Sequence, residues 1–298
     1  MKNHLPEKMK ILITGAQGQL GTALRQTVPD GIEVLGVDLP TLDITDERSV
    51  RELVQDFAPH QILNVAGYTD VDGAERQPET AFAVNHQGVA HLASAAKAVG
   101  ARLLHISTDY VFDGHGETPY RPDDRPNPLN VYGASKLAGE QELARLLPEN
   151  HLIVRTAWLY SPWGENFVKK ILRLMREREE LGVVDYQRGS PTSARSLASV
   201  LWRLIARPEL VGTYHWTDTG VTSWYEFACT IHRDGLELGL LDRPCRITPI
   251  TSDQLSQPAR RPAYSALDST SLRQTLPLDP PPWPSSLRQV LLEMAEQK

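Results

Sequence analysis

Cysteine is scarce: the 298 residues hold 2, Cys229 and Cys245. Two thiols cannot staple a small disulfide scaffold, and no Cys/His cluster has zinc spacing, so no metal is assigned. No stretch approaches the roughly 20 apolar residues that span a bilayer. Met1 to Met9 is polar and lacks the apolar run of a signal peptide; it reads as a leader, with Met9 a second candidate start. A basic excess is missing too. Lys plus Arg number 31 and Asp plus Glu 37, a formal charge of −6. That sign argues against nucleic acid and membrane as partners. What remains, 41% apolar and 23% charged, is the composition of a globular chain. Its length suits a large core plus a second lobe, and its expected location is cytoplasmic.

What is present is an alternation. Short apolar strands are read at Lys10–Thr14, Ile32–Asp38, Gln61–Ala66, Arg102–Ser107 and His151–Thr156. Between them lie helices at Thr22–Val28, from Thr45 or Asp46 to Phe57 with a Glu47–Arg51 charge pair, at Thr80–Val99 and at Val131–Leu147. This βαβ rhythm predicts an α/β fold, a Rossmann-type doubly wound parallel sheet over residues 9–160. Beyond Trp158 the rhythm becomes irregular. Helices are read at Phe167–Glu180 and Trp224–Gly239, a strand at Gly212–Trp216, and a stiff Pro280–Pro284 stretch before the last helix. A smaller C-terminal α/β substrate lobe is expected over 161–191 and 218–298, the chain returning to the first domain near 192–217.

Gly15-Ala16-Gln17-Gly18-Gln19-Leu20-Gly21 is a GxxGxxG. Its glycines allow a tight turn and close backbone approach to a pyrophosphate, and the following helix offers free N–H groups. Between a strand and a helix, the motif marks a dinucleotide loop. Asp38 ends the second strand, where an acid accepts from a ribose and repels a 2′-phosphate. That leans towards NADH, and NADPH stays open. Asp43 and Ile44 lie where the chain reaches an adenine, or where an Asp simply opens a helix.

Tyr132-Gly133-Ala134-Ser135-Lys136 places a phenol and an ammonium one helical turn apart on one face. The cation is expected to lower the phenol's pKa and fit it for proton transfer. Thr108 falls at the carboxyl end of a buried strand, the ligand side of an open α/β sheet, where its hydroxyl can bond a carbonyl undergoing reduction.

These features resemble the extended short-chain dehydrogenases/reductases. More narrowly, STDYVFDG, YG-S-K, VRT-WLY, GSPT and RPAYSALD resemble the dTDP-4-dehydrorhamnose reductase family, from Met9 to the last helix. The resemblance implies that NADPH or NADH delivers hydride to C4 of a dTDP-sugar, completing a rhamnose for cell-surface polysaccharide. It implies that Tyr132 protonates the C4 oxygen, that Lys136 holds the nicotinamide ribose and that Thr108 orients the carbonyl. Ala66, Gly67 and Tyr68 would line the cofactor, and Asp109 and Trp158 the substrate. Trp158 also reads as a junction aromatic, and Trp216, Trp224 and Tyr225 as core. Arg261 would pair with the diphosphate.

The chain departs from the family pattern at Tyr264, where Asn is usual, and at Ser196, where an Asp is common. With Arg188, the latter puts a magnesium-bridged dimer in doubt; a homodimer is left open. Two other readings compete. One is an epimerase or dehydratase of the same superfamily, although Thr108-Asp109-Tyr110 lacks the Asp-Glu of the dehydratases. The other is a regulatory subunit resembling that of methionine adenosyltransferase.

Overall fold

Ile11 to Ile13 is apolar on both strand faces, which suits a strand covered by helices on both sides. In the computed structural model, which describes residues 8–251, 254 and 257–297, these residues are fully buried in β1 (Met9–Thr14). Burying such a side chain is worth about 1.5–3 kcal/mol. Residues 1–7 of the expected leader lie outside the described residues.

The glycine loop leads into α1 (Gln19–Gln26), followed by β2 (Ile32–Val37), α2 (Glu47–Phe57), β3 (Gln61–Asn64), α3 (Val71–Arg76) and α4 (Pro78–Phe82). A π-helical turn, Ala83–Gln87, joins α4 to α5 (Gly88–Val99). The helix expected over Thr80–Val99 therefore carries a bulge at Asn85. β4 (Arg102–Thr108), α6 (Val131–Leu146) and β5 (His151–Thr156) complete the first half. The second half contains β6 (Leu159–Tyr160), α7 (Phe167–Glu177), β7 (Glu180–Val184), β8 (Arg188–Gly189), β9 (Thr192–Ser193), α8 (Ala194–Ile205) and β10 (Gly212–His215). It closes with β11 (Thr222–Ser223), α9 (Trp224–Glu237), β12 (Arg246–Ile250), α10 (Thr270–Thr275) and α11 (Trp283–Glu296).

Six strands form one parallel sheet in the order β10-β5-β4-β3-β1-β2. This is the doubly wound α/β architecture that the alternation predicts. The order reverses between β1 and β3, and the ligand crevice of such sheets opens beyond their carboxyl ends there. Helices α1, α8 and α10 pack on one face, and α2, α5 and α6 on the other. The last carbonyls of α8 are met from the sheet: Gln61 Nε2 donates to Ile205 O at 2.8 Å and Arg102 Nη1 to Leu204 O at 3.0 Å. A third core joins α7, β7, α9 and α11 around Tyr160, Leu172 and Phe227.

Three local expectations change. The charge pair on α2 is Arg48–Glu52 at 2.7 Å rather than Glu47–Arg51, behind an Asp46 cap that accepts from the Arg48 and Ser49 N–H groups. The charged helix stops at Glu177, and Glu180 opens β7, paired in parallel with β12. The last helix starts at Trp283, so Pro284 sits in its first turn, where a missing N–H costs little.

Candidate active site

The loop after β1 is shaped by what its glycines exclude. Gly15 has φ +74°, and a Cβ there would meet the Ala66 nitrogen at 2.6 Å. A Cβ on Gly21 would lie 2.2 Å from the Gly15 carbonyl oxygen. α1 begins behind Gly18 with no side-chain cap, leaving its first N–H groups for an anion. The residues thus fit the pyrophosphate of a dinucleotide. Gln17 donates its N–H to Asp38 Oδ2 and Leu39 its N–H to Asp38 Oδ1, both at 2.9 Å. Asp38 therefore ties the loop to the end of β2. Gln19 Oε1 accepts from Ser161 (3.0 Å) and Asn166 (2.9 Å), joining the loop to the lobe. Leu20 is core.

Asp43, exposed, holds a local turn with one oxygen: its Oδ1 accepts from the Thr45 N–H (2.9 Å) and hydroxyl (2.8 Å). Ile44 is buried against Gly88, where a Cβ would come within 2.7 Å of it.

At the carboxyl end of β4, Thr108 donates to Asp109 Oδ1 at 3.1 Å, and the Tyr132 phenol faces the Thr108 side chain. Burial pushes the Asp109 carboxyl up to about 7; Thr108 donates to its Oδ1, and its buried Oδ2 has no hydrogen-bond partner. Ser107 Oγ and Thr156 Oγ1, buried in the same strand ends, have no hydrogen-bond partner, so the crevice carries spare polar capacity for a ligand. Lys136 Nζ donates to Ile106 O at 2.6 Å and lies 3.2 Å from His105 Nε2. The expected lowering of the Tyr132 pKa is absent. Desolvation pushes that phenol up to about 12, and burial brings Lys136 down to about 8. Lys136 is turned to the β4 backbone and His105, and only the Thr108 side chain favours the phenolate.

α6 is held from several sides. Asn130 caps it, accepting from the Gly133 N–H at 2.8 Å while donating to Arg260 O at 2.8 Å. Asn85, in the π-turn, donates to Ser135 Oγ (3.0 Å) and clamps both backbone groups of Tyr68, at 2.9 and 3.0 Å. A Cβ on Gly139 would fall 2.1 Å from the bulged Asn85 carbonyl. Glu140 forms a bidentate, fully buried pair with Arg155 at 2.6 and 2.9 Å. Gly67, between Ala66 and Tyr68, lies over Lys136: a Cβ there would be 3.8 Å from Nζ.

On the lobe side, Trp158 takes φ +49° and stacks on Trp224, centroids 3.5 Å apart and planes 6° apart. A Cβ on Gly189 would strike its ring at 2.7 Å. Arg261 does not present a free fork. Asp72 accepts from its Nη2 at 2.8 Å and Nη1 at 3.2 Å, and Ala259 O accepts from Nη1 at 3.2 Å. Tyr264 bridges Arg188 through the backbone, and Ser196 lies under Trp216 Nε1 at 3.4 Å. Among the described residues, no group of three or more His, Cys, Asp or Glu is placed to hold a metal ion, and no helix is long and apolar enough to cross a membrane.

Asn64, Asn85, His105 and the Glu140–Arg155 pair are not reached by reading motifs. Those on strands carry a signal, a polar residue inside an apolar run: Asn64 after Ile62-Leu63 and His105 within Leu103-Leu104-His105-Ile106.

Fold and site together are those of an NAD(P)H-dependent oxidoreductase of the extended short-chain dehydrogenase/reductase type. The sequence model of the family described as RmlD substrate binding domain matches residues 9–296. A dTDP-4-dehydrorhamnose reductase of Aggregatibacter actinomycetemcomitans is 40% identical over 288 residues, 94% of this chain and 98% of the relative. One from Streptomyces griseus is 44% identical, covering 87% of this chain and 85% of that one. The crystal structure of a Bacillus anthracis dTDP-4-dehydrorhamnose reductase in complex with NADP superposes with a TM-score of 0.90 at 39% identity, covering 96% of this chain and 99% of that one. The chain belongs to the dTDP-4-dehydrorhamnose reductase family.

Proposed function

We propose that this chain reduces the C4 ketone of dTDP-4-dehydro-L-rhamnose to the 4-hydroxyl of dTDP-L-rhamnose. A bound dihydronicotinamide supplies the hydride. The loop Gly15–Gly21, with Asp38 at its edge, would hold the dinucleotide, and Ala66 to Tyr68 would line it. Asp43 and Ile44 would lie at the adenine end, Asp43 with its exposed carboxylate and Ile44 packed behind it against Gly88. The observation that carries the reading is that α6 brings Tyr132 and, one helical turn on, Lys136 to the carboxyl end of β4, where Thr108 stands and Lys136 Nζ meets Ile106 O at 2.6 Å.

Tyr132 gives its proton to the C4 oxygen, and Thr108 orients that oxygen. A phenol pushed up to about 12 is protonated at neutral pH, the state that a general acid must start from. Lys136 holds the ribose beside it. Asp109 meets the sugar next to Thr108, and the Trp158–Trp224 stack flanks the nucleotide. Arg261 takes the diphosphate by exchanging Asp72 for phosphate oxygens, both of which suit a guanidinium fork. A soluble enzyme of the cytoplasm, acting alone or as a homodimer, fits this chemistry.

The test is an assay with dTDP-4-keto-6-deoxy-L-lyxo-hexulose and free NADH or NADPH in turn. One dihydronicotinamide oxidised per rhamnose formed is expected. Epimerised or dehydrated sugar without net cofactor consumption would overturn the reading in favour of a sister activity. So would tight binding to a larger enzyme with no reductase activity, in favour of a regulatory role.

A further inference from the structure

Gln19 is where the glycine loop and the lobe hold one another. It opens α1 directly behind Gly18, so its backbone N–H is among those left for the pyrophosphate. Its side chain is gripped by residues 161–166. The Lys169 N–H donates to the Asn166 side chain at 3.1 Å, and a backbone N–H can only donate, so the receiving atom is Oδ1. Both hydrogens of Asn166 Nδ2 are then committed, to Ser161 O at 2.8 Å and to Gln19 Oε1 at 2.9 Å. Ser161 shares its single hydroxyl proton between Gln19 Oε1 at 3.0 Å and Trp163 O at 2.7 Å. Gln19 Nε2 faces Glu165 O at 3.4 Å. Gly164, at φ +64°, comes so near that a Cβ on it would lie 3.1 Å from Gln19 Cγ.

This segment leads straight to the aromatic stack. Asn166 caps α7, whose first residue, Phe167, tilts against Trp224 with centroids 4.3 Å apart, and Trp224 carries Trp158 at 3.5 Å. A second hold on the sheet half, Trp163 against the Arg195 guanidinium of α8 at 5.2 Å, involves no residue of the glycine loop. We infer that Gln19 is a positioning residue that couples the two ligands. Pyrophosphate on the loop fixes its side chain, which docks residues 161–166 and so prepares the Trp158–Trp224 stack for the nucleotide sugar. The inference deepens the function proposed above and rests on its placing of the dinucleotide on the loop and the nucleotide on the stack. Its physical ground is linkage: a ligand that orders the loop removes part of the ordering that the second ligand would otherwise have to impose, and the coupling is reciprocal.

The test reads backbone hydrogen exchange on the full chain. Saturating NADPH should slow peptides covering residues 161–170 by about threefold or more in the native chain. Gln19→Met keeps the backbone N–H and the side-chain length but carries no amide, and at saturating NADPH the slowing should vanish. Asn166→Thr keeps an oxygen to cap α7 and loses the donor to Gln19, and should behave alike. In calorimetry, NADPH should tighten dTDP binding about fivefold or more in the native chain and less than about twofold in either variant. No slowing in the native chain, slowing that persists in either variant, or a dTDP affinity indifferent to NADPH overturns the inference. The first and last of these hold even if neither variant folds. Both readouts are independent of turnover: a chain that shows them and reduces no ketosugar refutes the function alone. If dTDP does not bind, the proposed substrate fails, and the exchange readout still decides the role of Gln19.

Discussion

The sheet half and the C-terminal lobe meet the same crevice by different means. Around Lys136, polar side chains are fixed in series, from Thr14 through Asn64 to His105, with Asn85 and the Glu140–Arg155 pair bracing α6. On the lobe side, flat rings do the work: Trp158 on Trp224, with Phe167 tilted against Trp224 at 4.3 Å. Hydrogen bonds are directional and fix where a proton sits. Stacked rings offer area and tolerate small shifts. Under the proposed function, proton transfer would fall to the half that fixes orientation, and holding the nucleotide sugar to the half that adapts.

The sharpest break of this contrast is Tyr132→Phe. Removing the proton donor should lower single-turnover rate on the order of 10²–10⁴-fold. The dissociation constant for NADPH, read by fluorescence titration, should stay within about twofold. Unchanged turnover would take the acid role from Tyr132.

Next in size is Glu140→Gln. Arg155 and Glu140 are about 95% buried, so the change leaves a guanidinium uncompensated in the interior. Unfolding free energy should fall by about 3–5 kcal/mol in chemical denaturation. Exposed pairs such as Arg48–Glu52 should register almost nothing when broken.

The contrast also explains what the sequence made legible. Strands β1 and β5 and the start of α6 follow from uniform apolar runs and the loop that precedes them, because a parallel sheet demands both. The loop glycines, Thr108, Tyr132 and Lys136 are legible because their spacing is local. The π-turn at Asn85 is not, since it is set by contact with Tyr68, Ser135 and Gly139, up to 54 residues away in the sequence. Arg261's partner Asp72 is further still, 189 residues away. The direction of the Tyr132 shift eluded spacing for the same reason: the turn of Lys136 towards His105 depends on three strands.

A smaller effect, of opposite sign to ordinary acid denaturation, is expected from Asp109. Its carboxyl moves from 3.8 to about 7 on folding, because burial disfavours the charge. Between those values the folded chain binds a proton that the unfolded chain does not. The favourable contribution is complete below the unfolded pKa and is lost as pH rises through about 7. Asp218, raised to about 6 by burial, adds the same slope at lower pH. Asp109→Asn should flatten the decline in denaturant midpoint across this window and leave the Asp218 part. An unchanged slope would mean that Asp109 is ionised in the fold.

The mildest change probes the lobe. Trp224→Leu keeps an apolar side chain in the third core but removes the ring on which Trp158 lies. An aromatic pair contributes about 0.5–1.5 kcal/mol beyond its buried area. KM for the dTDP-sugar should therefore rise roughly two- to tenfold, with kcat and cofactor affinity nearly unchanged. That pattern would separate the two halves cleanly, since the sheet-half variants move rate or fold stability and this one moves recognition. If kcat fell instead while KM held, the stack would be fixing the reacting carbonyl as rigidly as Thr108 does, and the division of labour between rings and hydrogen bonds would fail.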